Sequence, residues 1–186
     1  PRPLSEAQMD AYLESRYTLY DGVEEFIHWC EVRDIRFMIN TTGMHGYFQR
    51  ALAKGFLPSL AALSAHSFLR FGPGRKDPEL TLNLYEITDK ATNTAMVAEK
   101  YKIPLSRVII LGDSGGDGPH FEWGAAAGAT LIASMAKPSL TDYCRQRNIT
   151  VHHFFGRSYA QGEQINVAEE MRYDFRSLIE PIRSVL

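Results

Sequence analysis

Two carboxylates stand four residues apart in a glycine-rich segment, the stretch GDSGGD at residues 112–117. This segment directly follows residues 108–111 (VIIL), a short apolar run that is typical of a buried strand. Asp113 and Asp117 could hold Mg²⁺, because this cation binds one or two carboxylates together with phosphate oxygens and water. Aspartates in such turns also serve as simple turn formers that accept hydrogen bonds from their own backbone. The spacing alone leaves both interpretations open.

A second polar cluster, Thr41-Thr42-Gly43, follows the short apolar segment at residues 35–39 (IRFMI). Hydroxyls and backbone N–H groups at a strand end, next to a helix start, suit a phosphate group. The same residues are also compatible with an ordinary entry into a helix. Because open parallel sheets bind ligands beyond the carboxyl ends of their strands, both clusters are expected at one sheet edge. A phosphate site beside a magnesium site indicates phosphoryl chemistry.

Apolar strands alternate with helical patterns along the chain and would position these clusters. The expected helices cover residues 5–17, 23–32, 46–54, 92–102, 140–147 and 167–185, and residues 124–128 are expected to lie within a further helix. The expected strands lie at residues 35–39, within 61–71, and at 80–87, 108–111, 130–133 and 150–155. This alternation predicts the α/β class, with a parallel sheet covered by helices on both faces. Without a repeat or a linker in the sequence, residues 1–186 are expected to form a single domain.

Composition excludes several classes of partner. A formal net charge of −2 gives no electrostatic footprint for nucleic acid or for an acidic membrane surface. Cys30 and Cys144 are too few for a disulfide framework or a zinc site, so a cytoplasmic location is expected. No apolar run approaches the length of a membrane span, and no membrane partner is expected. The sequence sets no oligomeric state.

The order of the motifs resembles the haloacid dehalogenase-like phosphatase superfamily, close to its phosphoserine-phosphatase-like branch. Residues 36–44 (RFMINTTGM) resemble the second motif of that family, with Thr41 in the place of its hydroxyl residue. Lys90 stands 23 positions before the first aspartate of the fourth motif and fits the third. Residues 109–117 (IILGDSGGD) match the fourth, a strand followed by Gly-Asp-x-x-x-Asp. Residues 135–138 (MAKP) resemble a stretch found in this branch after the following strand.

The resemblance covers roughly residues 20–140 and implies both a fold and a reaction. The implied fold is a three-layer, Rossmann-like parallel sheet with helices on both faces and little or no cap. The implied reaction is Mg²⁺-dependent hydrolysis of a small phosphorylated substrate. An aspartate attacks phosphorus to form an aspartyl-phosphate, and water then releases phosphate. Asp113 and Asp117 would anchor the Mg²⁺.

The resemblance also implies roles for the other residues that match the family pattern. Thr41 would donate a hydrogen bond to the phosphate, with the backbone amides of Thr42 and Gly43 beside it. Lys90 would pair with the phosphate and with the nucleophile. A second aspartate, two residues after the nucleophile, would protonate the leaving group and activate the water.

The main departure from the family pattern concerns its first motif, Asp-x-Asp-x-Thr, which supplies the nucleophile and the acid/base. No Asp-x-Asp occurs in the sequence, and the aspartates before the second motif are Asp10, Asp21 and Asp34. Asp21 leads directly into a helix where the family has a turn, so it is not assigned as the nucleophile.

Two explanations of this departure stay open. The favoured one expects the nucleophile and a first strand upstream of Pro1, in a longer protein that is a phosphatase. In the alternative, the chain is a non-catalytic relative that binds a phosphorylated or anionic ligand. A receiver-like domain is disfavoured, because its acidic cluster and phosphorylated aspartate would occur in a different order along the chain.

Overall fold

The computed structural model describes residues 4–186, which divide into two compact units. The first unit comprises residues 4–19 and 23–86, and the second comprises residues 20–22 and 87–186. Each unit contains helices and a parallel sheet, so the α/β class is confirmed. The grouping of residues 1–186 as a single domain stays a prediction. Among the described residues, no helix has both the length and the apolar character needed to cross a membrane.

The first unit contains three helices and three strands within the part of the chain that the structure describes. In chain order these are α1 (Glu6–Arg16), α2 (Val23–Val32), β1 (Met38–Met44), α3 (His45–Lys54), β2 (Ala62–His66) and β3 (Leu80–Asn83). The sheet has the order β1-β2-β3, and both pairings are parallel. The register of β1 against β2 is regular from Met38 to Asn40 and becomes irregular before Met44.

Local sequence signals explain the helices of the first unit. Ser5 caps α1 with a capping box, in which its hydroxyl accepts from the Gln8 N–H at 3.3 Å. The apolar residues of α2 recur at helical spacing, and the buried ones are Val23, Phe26, Ile27 and Cys30. The end of α3 is set by Gly55, whose φ of +78° few other residues adopt without strain. The helices expected at residues 23–32 and near residues 5–17 are therefore confirmed.

The second unit repeats the alternation of strands and helices. In chain order its elements are α4 (Asp89–Lys100), β4 (Ile109–Gly112), α5 (Gly118–Ala127), β5 (Thr130–Ser134), α6 (Pro138–Gln146), β6 (His153–Phe155), α7 (Val167–Glu170) and α8 (Ile179–Arg183). Short 3₁₀ turns cover Leu105–Arg107, Gly115–Asp117 and Phe175–Leu178. The sheet has the order β4-β5-β6 with parallel pairings.

The core of the second unit holds β4 and β5 against α5 and α6. Its buried members include Ile110, Phe121, Leu131, Ala133, Leu140 and Cys144. A side chain at Gly124 would place its Cβ 2.5 Å from Ile110 Cδ1, so the small residue lets α5 lie close to β4. This packing fixes the start of α5 over the carboxyl end of β4.

Several expected element boundaries differ from those in the structure. The strand expected at residues 35–39 runs instead from Met38 to Met44, so Asn40 to Gly43 is strand rather than a following loop. Pairing with β2 and the β-branched threonines extend it. The helix expected to contain residues 124–128 is confirmed for Gly124 to Ala127, and it begins at Gly118, where Pro119 at the second position favours helix initiation.

The single terminal helix expected at residues 167–185 is also wrong. The segment forms two short helices separated by a 3₁₀ turn. The Asp174 carboxylate accepts from the Arg176 N–H at 2.9 Å, which starts a new turn there. The Phe175 N–H leaves the helical pattern and donates to the Asp21 carbonyl at 2.8 Å. Side-chain capping and a distant backbone partner together outweigh the helical periodicity.

Candidate functional site

The turn between β4 and α5 carries both aspartates of the fourth motif. Asp113 directly follows β4, and Asp117 ends the 3₁₀ turn that leads into α5. A Cβ added to Gly112 would lie 2.7 Å from the Asp117 Cβ and 2.7 Å from Phe121 Cε1. Only glycine therefore lets the turn fold back over the end of the strand. As expected from the sequence, both carboxylates lie at the carboxyl end of a parallel strand.

The Asp117 carboxylate is buried and uses both of its oxygens. Its Oδ2 accepts from the backbone N–H of Asp113 at 2.9 Å and from that of Ser114 at 3.3 Å. Its Oδ1 accepts from Lys90 Nζ at 2.5 Å. Asp117 is 6% exposed and Lys90 is 8% exposed, so water screens this ion pair only weakly.

Two opposing effects act on the pKa of Asp117. Burial raises the pKa, because it disfavours the charged form. The Lys90 ammonium and the N–H donors of Asp113 and Ser114 act in the opposite direction and outweigh burial. The pKa of Asp117 is therefore held below its usual value, and the carboxylate stays ionised at neutral pH.

Lys90 projects from the first turn of α4, as its place near a helix start predicted. A lysine in a sequence is ordinarily solvated, whereas this ammonium is buried against Asp117. Its helix is held near α5 by a contact between Thr94 and His120, whose Oγ1 and Nε2 atoms lie 2.9 Å apart. The position of the ammonium is therefore set by two packed helices.

His120 is buried in α5 beside this ion pair. Burial, together with the nearby Lys90 ammonium, lowers the pKa of His120 to about 4. The imidazole is therefore neutral at pH 7. Its ring stacks on Trp123 with centroids 5.8 Å apart. His120 acts here as a packed, uncharged partner of Thr94 rather than as a surface group.

Asp113 has a different environment from Asp117. Its side chain is 45% exposed, and its Oδ2 accepts from Lys137 Nζ. The Lys137 backbone N–H also donates to the Asp113 carbonyl at 2.7 Å. The sequence singled out Lys137 only as part of the MAKP stretch and gave it no role. Its position after the adjacent parallel strand, β5, was the signal that could have placed it at this edge.

The Thr41-Thr42-Gly43 cluster belongs to the first unit. Thr41 Oγ1 accepts from the Gly43 N–H at 3.0 Å, which shapes the irregular end of β1. His45, at the start of α3, is 1% exposed, and burial lowers its pKa. In the second unit the structure brings Lys90 against Asp117. The phosphate-binding role of Thr41, Thr42 and Gly43 stays a prediction. 

The donor set of the second unit suits Mg²⁺ better than a cation that needs a full protein cage. Among residues 4–186, no group of three or more His, Cys, Asp or Glu side chains is placed to hold a metal. Mg²⁺ requires only one or two carboxylates, since phosphate oxygens and water complete its shell. Asp113 offers a partly exposed carboxylate, and Asp117 lies one turn away. Asp113 and Asp117 supply carboxylates of the type that Mg²⁺ prefers, and Mg²⁺ binding by them stays a prediction.

Comparison of the chain with known proteins finds no relative. The similarity to the haloacid dehalogenase-like superfamily therefore rests on the sequence motifs and stays a prediction. The chain matches no protein-family model, no curated protein and no solved structure.

Proposed function

We propose that the chain is part of a Mg²⁺-dependent phosphomonoester hydrolase that works through an aspartyl-phosphate intermediate. The nucleophile is expected upstream of Pro1. The proposed complete fold is a three-layer, Rossmann-like sheet of the haloacid dehalogenase type, with helices on both faces and little or no cap. The parallel α/β units are compatible with that fold. The observation that carries the proposal is the buried Lys90–Asp117 ion pair at the end of β4.

This ion pair is better explained by ligand binding than by stability. Removing two charges from water is costly, and apolar residues of similar volume are often as stabilising as a buried pair. The pair lies at the carboxyl end of a parallel strand, where sheets of this class bind their ligands. A positive charge fixed there can neutralise the charge that develops on a transferring phosphoryl group.

Each charged residue of the site in the second unit has a distinct proposed role. Asp117 holds the Lys90 ammonium in place, and that ammonium would pair with a phosphate oxygen. Asp113, with its partly exposed carboxylate, would bind Mg²⁺ together with Asp117. When bound, Mg²⁺ would supply Lewis-acid stabilisation of the phosphoryl oxygens. In the first unit, Thr41 is proposed as a phosphate-binding hydroxyl on the basis of the family resemblance alone.

The nucleophile and the acid/base are proposed on a segment that precedes Pro1, because no Asp-x-Asp occurs in the sequence. Within the described residues, β1 and β4 each pair with one neighbouring strand and are edge strands. An edge strand can accept a further strand through its outer backbone groups. The alternative is a non-catalytic relative in which the same residues bind an anionic ligand without turnover.

Magnesium binding tests the site on the chain as it stands. Asp113→Asn should weaken Mg²⁺ binding at least about tenfold, that is by about 1.4 kcal/mol, because it removes a charged oxygen ligand. Asp142→Asn is the matched control, since this aspartate pairs with Arg145 on α6 and its side chain is similarly exposed, at 39%. Isothermal titration calorimetry measures all three affinities. Equal affinities in the wild type and in Asp113→Asn would remove the metal assignment.

The coding sequence upstream of Pro1 separates the hydrolase from its alternative. An apolar strand followed by Asp-x-Asp-x-Thr would support a phosphatase, and the longer protein should then hydrolyse a phosphomonoester such as p-nitrophenyl phosphate. A start codon directly before Pro1 would favour the binding protein, in which phosphate binds and no ester is hydrolysed.

A further inference from the structure

The segment after β5 is tied to the turn after β4 by three contacts. Lys137 donates from its backbone N–H to the Asp113 carbonyl at 2.7 Å. Its ammonium donates to the Asp113 carboxylate. The Gly115 N–H donates to Ser139 Oγ at 2.9 Å. Lys137 is therefore aligned with Asp113 by its own backbone hydrogen bond and by the contact of Ser139, two residues further on, so the ion pair has a fixed position.

Backbone strain marks the approach to Lys137. Met135 adopts a φ of +45°, a left-handed conformation that is unfavourable for a residue with a side chain. The conformation is held by the Met135 N–H, which donates to the Phe155 carbonyl at 2.9 Å. A Cβ added to Gly156 would lie 2.3 Å from Met135 Sδ, so glycine there makes room for this side chain. The surrounding chain thus enforces the path that brings Lys137 to Asp113.

We propose that Lys137 is a built-in counter-cation of Asp113 and that it competes with a divalent cation for this carboxylate. The inference rests on the proposed function in one respect, namely that Mg²⁺ uses Asp113. The ammonium occupies one carboxylate oxygen, and a second cation at the same carboxylate would be repelled by it. Lys137 thereby sets the concentration of Mg²⁺ at which the site fills.

The two lysines of the site are suited to different tasks. Lys90 is buried, and leaving Asp117 would strand two charges in the interior. Lys137 has a side chain that is 32% exposed and a partner that is 45% exposed, so its ammonium can move into water at little cost. The exchangeable cation is therefore Lys137, whereas Lys90 stays in the site.

Magnesium titration of the full chain tests this inference without any enzyme assay. Lys137→Met should bind Mg²⁺ about tenfold more tightly than the wild type, which corresponds to about 1.4 kcal/mol. Lys137→Arg keeps the positive charge and should stay close to the wild type. The matched control is Lys54→Met, which removes a lysine paired with Glu14 at 2.7 Å in the first unit and should leave the affinity unchanged.

The double variant Lys137→Met/Asp113→Asn separates this inference from the proposed function. If Lys137 acts through Asp113, the gain in affinity disappears when Asp113 is neutralised. Loss of binding in Asp113→Asn with no gain in Lys137→Met would overturn the competition and leave the metal site intact. Unchanged binding in Asp113→Asn would overturn the proposed metal site itself. Circular dichroism verifies folding, and Lys137→Gln replaces the methionine variant if that variant does not fold.

Discussion

The ion pair between Lys90 and Asp117 makes the sharpest prediction about the second unit. Lys90→Met replaces the ammonium with an apolar group of similar length, and Asp117→Asn removes the negative charge while keeping an oxygen for the backbone N–H groups of Asp113 and Ser114. Each single change removes one charge of the pair and leaves the other charge in the interior. The double variant leaves neither charge.

The expected losses of unfolding free energy depend on whether one charge or no charge is left in the interior. Removing one partner of a buried ion pair costs about 3–5 kcal/mol, whereas replacing both partners is often close to neutral. Lys90→Met belongs near the lower end, about 3 kcal/mol, because Asp117 keeps two N–H donors. We expect the double variant to be less destabilised than either single variant, with a coupling energy of at least about 2 kcal/mol.

Urea unfolding followed by tryptophan fluorescence measures this coupling. The chain has 2 tryptophans, and replacing Trp29 in the first unit leaves Trp123 in the second as the reporter. All four proteins of the cycle are compared in that Trp29→Phe background. Additive effects, or single variants that each cost less than about 1 kcal/mol as exposed pairs do, would refute a buried and coupled pair.

Two further predictions concern groups around this pair. The pKa of His120 is about 4 in the folded chain and about 6.5 in the unfolded chain, so the unfolded chain binds more protons between these two pH values. The free energy of unfolding should therefore fall by about 3 kcal/mol from pH 7 to pH 4. His120→Gln should remove most of this pH dependence, as measured by urea unfolding at several pH values. Gly112→Ala should cost about 1–3 kcal/mol by overpacking, since its Cβ would meet Asp117 and Phe121 at 2.7 Å. Gly116→Ala is its control, because the nearest atom would be 3.8 Å away, and equal unfolding free energies for the two variants would contradict the close approach.

The helices and strands could largely be predicted, because their signals are local. The capping box at Ser5 and the spacing of the apolar residues in α2 are legible from short segments. The elements that were predicted wrongly depend on partners outside the local segment. The pairing of Met44 with His66 on β2 extends β1 beyond Asn40, and the Asp21 carbonyl draws Phe175 out of a helical path. A local pattern does not contain the position of such a partner, which lies on another strand in the first case and more than a hundred residues away in the second.

The candidate site was predictable to the extent that its chemistry lies in contiguous motifs. The Gly-Asp-x-x-x-Asp turn indicated Asp113 and Asp117, and the resemblance to the haloacid dehalogenase-like pattern indicated Lys90. Lys137 received no role, because its pairing with Asp113 depends on the parallel register of β4 and β5. The burial of His120 could not be predicted, because it depends on the contact of α5 with Thr94 of α4.

In the second unit, two lysines each pair with one aspartate, and this arrangement of charges supports ligand binding. Lys90 balances Asp117 in the interior, and Lys137 balances Asp113 nearer the surface. A cation arriving at Asp113 would release the Lys137 ammonium and add positive charge next to Lys90. The site would then carry a net positive charge at the end of a parallel strand, which favours a phosphate dianion electrostatically. Cation and phosphate should therefore each strengthen the binding of the other, as thermodynamic linkage requires of two coupled ligands.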